Sequence, residues 1–278
     1  MRRTAVVGAL VLLLGSPGFD TVAAQPAQPP VGLDTPARTS PATRPTSDRA
    51  TGARATGARA TGARALAGKV VVLDPGHQLG NRNFPREINR LVPAGRGQRK
   101  PCNTTGAATD GGFPEATFTW RVARLVQKRL EAQGARVVLT RQSNRDDRWG
   151  PCVDRRGRAG NRAHADLMLS IHADGSYAAG ARGFHVITLP ERKASARLAR
   201  EVRSSLRRAG VPVANYVAGG DGLDERTDLA TLNLSRVPTA MVELGNMRDR
   251  RDARRMRTAR GRASYARALS RAIAAELR

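Results

Sequence analysis

Short apolar runs alternate with longer amphipathic segments from residue 69 to the end of the chain, and this alternation constrains the fold more than any other feature. The apolar runs predict strands near residues 69–73, 135–140, 167–172, 183–189, 239–243 and, more weakly, 213–217. Apolar side chains at helical spacing predict helices over residues 115–133, 155–164, 194–208 and 263–277. Strands that alternate with helices in this way are typical of a mainly parallel, twisted sheet covered on both faces. The sequence therefore predicts a single three-layer α/β domain with about six strands flanked by helices.

Residues 1–24 have the three parts of a secretory signal peptide. Arg2 and Arg3 provide a positive start, residues 5–14 an apolar core, and residues 22–24 (Val-Ala-Ala) a small-residue cleavage site. An apolar run of this length is too short to span a bilayer stably. We therefore expect export, with no stable membrane insertion after cleavage, and an uncleaved membrane anchor is the alternative.

Residues 25–66 have the composition of a disordered tether. The segment is rich in Pro, Thr, Ala and Arg and contains tandem Thr-Gly-Ala-Arg-Ala repeats at residues 51–55, 56–60 and 61–65. Repeats of this composition cannot bury a core. We interpret the segment as a flexible spacer, and binding of an anionic polymer by its arginines is the alternative. Residues 67–278 are then long enough for one domain with a substantial core.

The chain is strongly basic, with a formal net charge of +25, and most of this charge lies in residues 67–278. A field of this sign attracts polyanions such as nucleic acids, anionic lipids and carboxylate-rich polymers. Aromatic residues make up only 4% of the chain and no nucleic-acid-binding motif is present in the sequence, so we expect no nucleic-acid partner.

Residues that can bind metals or move protons follow the predicted strands. His77, His172 and Glu243 each lie at or just beyond the end of an apolar run, and Glu115 begins the first long helix. In an open α/β sheet, ligands bind beyond the carboxyl ends of the strands, so these side chains are expected in one cleft. Two imidazoles and one carboxylate with an open position make a catalytic zinc set, and a second carboxylate can then act as the base.

Each of these residues also has a structural interpretation. A glutamate in the first turn of a helix is favoured by the helix dipole, and from the residues alone this explains Glu115 nearly as well as metal binding does. A carboxylate on a buried strand, such as Glu243, needs a metal, a partner or a catalytic role, because burying it unpaired is costly. The other histidines, His164 and His185, are interpreted as structural or incidental.

A series of short motifs runs in a specific order from about Lys69 to Arg278. The motifs are Asp74-Pro75-Gly76-His77, Glu115 before a helix, Leu139-Thr140-Arg141, Arg156 with Gly160-Asn161, Ala165-Asp166-Leu167, Ser170-Ile171-His172-Ala173, and Pro238 leading to Glu243-Leu244-Gly245-Asn246. Each is weak by itself. Together they resemble the zinc-dependent N-acetylmuramoyl-L-alanine amidases of bacterial cell-wall turnover, in particular the compact exported amidases of mycobacteria and related actinobacteria.

The resemblance implies that His77, Glu115 and His172 bind Zn²⁺ and that Glu243 is the catalytic residue. It also implies the substrate, peptidoglycan or its muropeptide fragments, cut at the amide between N-acetylmuramic acid and L-alanine of the stem peptide. We therefore expect a secreted, monomeric enzyme of the periplasm or cell wall, with anionic wall polymers as further partners. The alternatives are a zinc peptidase that cuts other wall peptide bonds and a non-enzymatic, basic wall-binding protein.

Cys102 and Cys152 are the only cysteines, and both follow prolines in loop-like stretches. Because an exported protein meets oxidising conditions, we expect a disulfide between them. The bond would join the segment after His77 to the loop before the predicted helix near Arg155, at the rim of the proposed site. Zinc ligation by the two thiolates is the alternative, and it is disfavoured because the histidines and glutamates already complete the ligand set.

Overall fold

The computed structural model describes residues 65–217 and 219–278. The predicted signal peptide and nearly all of the predicted tether lie outside these residues. Leu66, which the sequence analysis assigned to the tether, is completely buried in the main core, and its N–H donates to the carbonyl oxygen of Gln133 at 2.8 Å. The folded domain therefore begins before residue 67, and the predicted boundary is too late.

The described strands form one large sheet and one hairpin. They are β1 Val70–Pro75, β2 Leu91–Gly95, β3 Gln98–Pro101, β4 Arg136–Leu139, β5 Leu167–Asp174, β6 His185–Thr188, β7 Leu223–Glu225 and β8 Thr239–Asn246. The large sheet has the order β4-β1-β5-β8-β6-β7, and β2 pairs with β3 alone. All neighbours in the large sheet are parallel except β6 and β8. The predicted mainly parallel sheet of about six strands is confirmed.

Helices cover both faces of the large sheet. They are α1 Pro85–Asn89, α2 Glu115–Glu131, α3 Val153–Gly157, α4 Ala159–Ala163, α5 Lys193–Arg208, α6 Ala230–Asn233, α7 Arg250–Arg257 and α8 Ala259–Glu276. The long helix α8 packs against both α2 and α5 over the main core. Val71 and Leu73 of β1 belong to this core, whereas Val72 belongs to a smaller cluster under α4. This alternation buries both faces of the strand, as a three-layer fold requires.

The sequence of α2 determines both its packing and the position of Glu115. Phe118, Val122, Val126 and Leu130 recur every four residues and are completely buried, which places them on one face of the helix. Pro114 precedes the helix in an extended conformation, so that Glu115 is its first residue. None of the helices within residues 65–217 and 219–278 is long and apolar enough to cross a membrane.

Some elements differ from the sequence prediction because their sequences carry weak signals. The helix predicted over residues 155–164 is divided into α3 and α4 by Arg158, and it ends at His164 with a left-handed backbone. The prediction of a strand near residues 213–217 is wrong, because only Val213 forms a β-bridge there. The edge strand β7 was missed because its sequence, Leu-Asp-Glu, has no apolar run.

The hairpin of β2 and β3 and the helix α7 were also missed. The hairpin strands read Leu-Val-Pro-Ala-Gly and Gln-Arg-Lys-Pro, which have little β-branched or aromatic content. Helix α7 reads Arg-Arg-Asp-Ala-Arg-Arg-Met-Arg and buries only Asp252 and Met256. A pattern of apolar residues cannot reveal elements that bury so little.

Candidate metal centre and active site

His77, Glu115 and His172 lie side by side at the carboxyl edge of the sheet. His77 follows β1, His172 lies near the end of β5, and Glu115 begins α2. The Nε2 atom of His77 lies 3.2 Å from Oε2 of Glu115, and Nδ1 of His172 lies 3.0 Å from Oε1 of Glu115. One ligand atom from each residue lies within 4.8 Å of the other two. Because zinc–ligand bonds are about 2 Å long, small adjustments of these side chains would surround a single ion.

The backbone of His77 is held in an uncommon conformation. Its φ of 57° is left-handed, which is found in few residues that carry a side chain and is frequent at functional sites. Its Nδ1 lies 3.1 Å from the carbonyl oxygen of Thr104. A neutral imidazole that donates from Nδ1 to a carbonyl presents the lone pair of Nε2, which is the form that binds a metal.

A buried ion pair fixes the turn that carries His77. Arg156 donates to Oδ1 of Asp74 at 2.6 Å, and the two side chains are 3% and 0% exposed. The same guanidinium donates to the carbonyl oxygens of Pro75 at 2.8 Å and His77 at 2.6 Å. Arg141 donates to the Pro75 carbonyl as well, at 3.0 Å. Both arginines therefore hold the backbone of the turn from inside the protein.

Glu115 is buried and its carboxylate accepts several hydrogen bonds. The N–H of Ala107 donates to Oε2 at 2.8 Å and the N–H of Ala173 donates to Oε1 at 3.1 Å. Burial opposes ionisation, but the charges and hydrogen bonds of His77 and His172 outweigh it and hold the pKa of Glu115 below its usual value. The carboxylate is therefore ionised, as a metal ligand must be.

Two glycines let the backbone approach these side chains closely. A Cβ atom on Gly76 would lie 2.4 Å from the ring of His172. A Cβ atom on Gly106 would lie 2.8 Å from both Oε2 of Glu115 and the ring of His77. The result is a compact group of two imidazoles and one ionised carboxylate, and this donor set fits a small divalent cation such as zinc.

Glu243 lies beside this group. It is paired with His172 in the parallel register of β5 and β8, and it lines a cleft of about 600 Å³ together with His77, Glu115 and His172. Its side chain is partly exposed, but Oε2 is buried without a hydrogen-bond partner. Burial raises the pKa of Glu243 well above its usual value, and the carboxylates of Glu115 and Asp174 raise it further. The four site residues expected from the sequence thus lie in one cleft.

Other residues near Glu243 had no functional interpretation from the sequence. His185 of β6 is paired with Glu243 in antiparallel register, and the ring of Tyr216 packs edge-on against that of His185. Asp174 lies two residues beyond His172 at the end of β5. Only the pairing of strands that are distant in sequence brings these residues to the site, and no local pattern encodes that pairing.

Cys102 and Cys152 form a disulfide in the structure, with Cα atoms 4.2 Å apart. The bond is buried between the end of the β2–β3 hairpin and the start of α3. Their chain neighbours Pro101, Asn103 and Val153 line the cleft. The disulfide therefore supports the cleft rim, and its sulfur atoms are bonded to each other rather than available as thiolate ligands.

Comparison with known proteins identifies the family. The sequence pattern of the N-acetylmuramoyl-L-alanine amidases matches residues 71–275, which include all four site residues. An N-acetylmuramoyl-L-alanine amidase of Mycobacterium tuberculosis is 44% identical over 215 residues, which are 75% of this chain and 86% of that protein.

Solved structures agree with the sequence match. The amidase Ami1 of Mycobacterium smegmatis superposes with a TM-score of 0.72 at 40% identity, covering 76% of this chain and 98% of Ami1. The apo form of Ami1 from Mycobacterium abscessus gives a TM-score of 0.71 at 43% identity, covering 76% of this chain and all of that one. From the family match, the relatives and the shared fold, we conclude that this chain belongs to the N-acetylmuramoyl-L-alanine amidase family of peptidoglycan hydrolases.

Proposed function

We propose that the enzyme hydrolyses the amide between N-acetylmuramic acid and L-alanine at a single zinc ion bound by His77, Glu115 and His172. The observation that supports this most directly is the close grouping of the three ligand atoms in the same cleft as Glu243. Two histidines and one carboxylate also suit non-haem Fe(II), but hydrolysis of an amide needs a Lewis acid rather than a redox centre.

Glu243 is proposed to carry the proton. When bound, zinc would activate water and polarise the scissile carbonyl. Glu243 would accept a proton from the attacking water and then donate it to the nitrogen of the departing L-alanine, first as a general base and then as a general acid. Its raised pKa suits a group that must hold the proton between these two steps.

The location of the enzyme is a further part of the proposal. The signal-like residues 1–24, the disulfide between Cys102 and Cys152, and the relation to amidases support export to the cell wall or periplasm. Oxidising compartments favour disulfides. The basic charge of the chain would also favour contact with anionic wall polymers.

The zinc assignment is tested by metal analysis of the purified enzyme and its variants. We expect about one zinc per wild-type domain, and strongly reduced zinc in His77→Ala and His172→Ala because each removes one of three protein ligands. Digestion of a soluble muropeptide should release the lactyl-sugar and an intact peptide. Wild-type zinc content in both variants would contradict the ligand set, and cleavage between stem amino acids would contradict the proposed bond.

The role of Glu243 is tested by Glu243→Gln, with Glu225→Gln on the exposed edge strand β7 as the matched control. Glu243→Gln should keep its fold and its zinc while turnover falls by about 10²–10⁴-fold, the usual contribution of a general acid–base group. Glu225→Gln should resemble the wild type. Loss of zinc would make Glu243 a ligand instead, and near-normal turnover would leave the reaction without its base.

A further inference from the structure

Glu243 lies between two histidines in the sheet. The parallel register pairs it with His172 of β5, and the antiparallel register pairs it with His185 of β6. Residues that are directly opposite on neighbouring strands project from the same face, with Cβ atoms about 5 Å apart. The three side chains therefore form one row across β5, β8 and β6. His172 belongs to the proposed metal centre, whereas His185 has no role in the mechanism described above.

The side of Glu243 towards β6 contains buried polar atoms that lack partners. His185 is 5% exposed, and its Nδ1 accepts and donates no hydrogen bond within the described part of the chain. The same holds for Oε2 of Glu243 and the hydroxyl of Tyr216. The rings of His185 and Tyr216 meet edge-on, with centroids 6.0 Å apart. Buried polar atoms without partners are rare, and a group of them beside a catalytic carboxylate calls for an explanation.

The chemistry of these groups is complementary. Burial lowers the pKa of His185, so that the ring is neutral and carries one N–H donor and one acceptor nitrogen. The hydroxyl of Tyr216 stays protonated, because burial raises its pKa and so does the carboxylate of Asp174, which lies within reach of the O–H as its acceptor. The N–H of the neutral His185 ring can therefore donate a hydrogen bond to a carboxylate oxygen of Glu243.

We propose that His185 is a positioning residue for Glu243, donating its N–H to Oε2 directly or through one water. Hydrogen bonds of this kind are often long before substrate binds and tighten in the reactive complex. The hydrogen bond would fix Oε2 of Glu243 on the side towards β6 and leave Oε1 for the attacking water. This inference rests on the proposed role of Glu243, and it replaces the structural interpretation that the sequence favoured for His185.

The activity test compares His185→Phe, which keeps an aromatic ring but has no donor, with His185→Gln, which keeps an N–H. We expect His185→Phe to lower kcat on a small soluble muropeptide by about 10- to 100-fold, as the loss of an outer-shell hydrogen bond does. KM and zinc content should stay near the wild-type values. His185→Gln should recover most of the lost kcat. His164→Asn, at the left-handed end of α4, is the control and should resemble the wild type.

Other outcomes would overturn the inference. A normal kcat in His185→Phe would show that no donor is needed. An equal loss in His185→Phe and His185→Gln, together with a lowered melting temperature, would show a packing role. In the Glu243→Gln background, His185→Phe should cause little further loss of kcat, and a full multiplicative loss would show that His185 acts independently of Glu243.

A spectroscopic measurement that needs no turnover tests the hydrogen bond of His185 separately from the proposed role of Glu243. In the metal-free protein, ¹⁵N spectra should show the ring of His185 in one fixed neutral tautomer, and Glu243→Ala should shift these signals. Unchanged signals would overturn the hydrogen bond between His185 and Glu243 even if Glu243 is the base. Normal turnover in Glu243→Gln, by contrast, would overturn the proposed function itself, whatever the spectra of His185 show.

Discussion

At the scale of single residues, the site depends on backbone positions that few residues tolerate. His77 has a left-handed φ of 57°, and Gly106 packs against the donor atoms with a φ of 79°. An uncommon backbone conformation persists only where surrounding contacts stabilise it. Here Arg156 pairs with Asp74 and donates to the carbonyl oxygen of His77, which stabilises the turn. The proposed ligand set is thus held in place by residues outside it.

Gly106→Ala should weaken metal binding. The added Cβ would collide with Glu115 and His77 at 2.8 Å, and the left-handed φ would add strain. We expect the zinc dissociation constant to rise at least about tenfold, in the range seen when the surroundings of metal ligands are disturbed. Gly112→Ala is the matched control, because Gly112 has a φ of 75° but no neighbour within 4 Å of the added Cβ. Equal zinc affinities in the two variants, measured by calorimetry, would contradict this explanation.

Arg156→Leu should destabilise the fold at neutral pH. The substitution leaves Asp74 buried without its cation, and breaking a buried ion pair in this way costs about 3–5 kcal/mol. The exposed neighbour in Arg155→Leu is the control and should change the free energy of unfolding far less. Denaturant unfolding measures both values.

The destabilisation by Arg156→Leu should shrink in acid. Burial would raise the pKa of Asp74, but Arg156 and hydrogen bonds from Thr140 and Ser170 hold it below its usual value of 3.8. A lowered folded-state pKa gives stability that is present above pH 3.8 and is lost as the pH falls through the folded-state value. Without Arg156, burial favours the neutral acid, so acidification relieves the variant. A difference in unfolding free energy that stays constant from pH 7 to about pH 4 would contradict this account.

At the scale of elements, the β2–β3 hairpin at the cleft rim is held by a small apolar cluster and by separate covalent and polar contacts. The hairpin of β2 and β3 is joined to α3 by the Cys102–Cys152 disulfide. Lys100 of β3 forms an ion pair with Asp228 at 2.9 Å, and Asn233 of α6 donates to the carbonyl oxygen of Ala94 at 3.0 Å. Together with the burial of Val92 and Ala94, these contacts explain how a mostly polar hairpin keeps a defined position beside the cleft.

Removing the disulfide should destabilise the domain measurably. The bond closes a loop with a sequence separation of 50 residues. In the loop-entropy account, such a closure contributes about 4 kcal/mol. Cys102→Ser with Cys152→Ser should therefore lower the unfolding free energy by roughly this amount. Thiol counting of denatured wild-type protein from an oxidising compartment should find free thiols only after reduction, and two free thiols before reduction would show that the bond does not form there.

At the scale of the whole molecule, topology explains why distant residues meet. Strands β1, β5 and β8 are parallel neighbours, so their carboxyl ends lie at one edge of the sheet. His77 follows β1, and His172 and Glu243 lie in the carboxyl-terminal halves of β5 and β8. Helix α2 begins at the same edge and supplies Glu115. The cleft is therefore a direct consequence of the strand order.

Two truncations of the amino terminus test whether the predicted spacer is dispensable and whether Leu66 stabilises the fold. A chain that begins at residue 61 keeps Leu66 and should match a chain that begins at residue 25 in kcat on a small muropeptide. A chain that begins at Lys69 loses this fully buried leucine and should be less stable by about 2–5 kcal/mol, as when a core leucine is truncated. A tenfold loss of rate in the first chain would contradict the spacer interpretation. Equal unfolding free energies of the two chains would contradict the core role of Leu66.

The α/β class and the family were predictable from the sequence, because apolar runs, helical spacing and ordered motifs are local patterns. It also pointed to His77, Glu115, His172 and Glu243, since each follows a strand or begins a helix. Which strands are neighbours could be seen only in the folded protein, because strand order and register depend on contacts between distant segments. That pairing places His185 beside Glu243. The β2–β3 hairpin could not be predicted from periodicity, because its strands bury only Val92 and Ala94 and are held also by the disulfide and polar contacts.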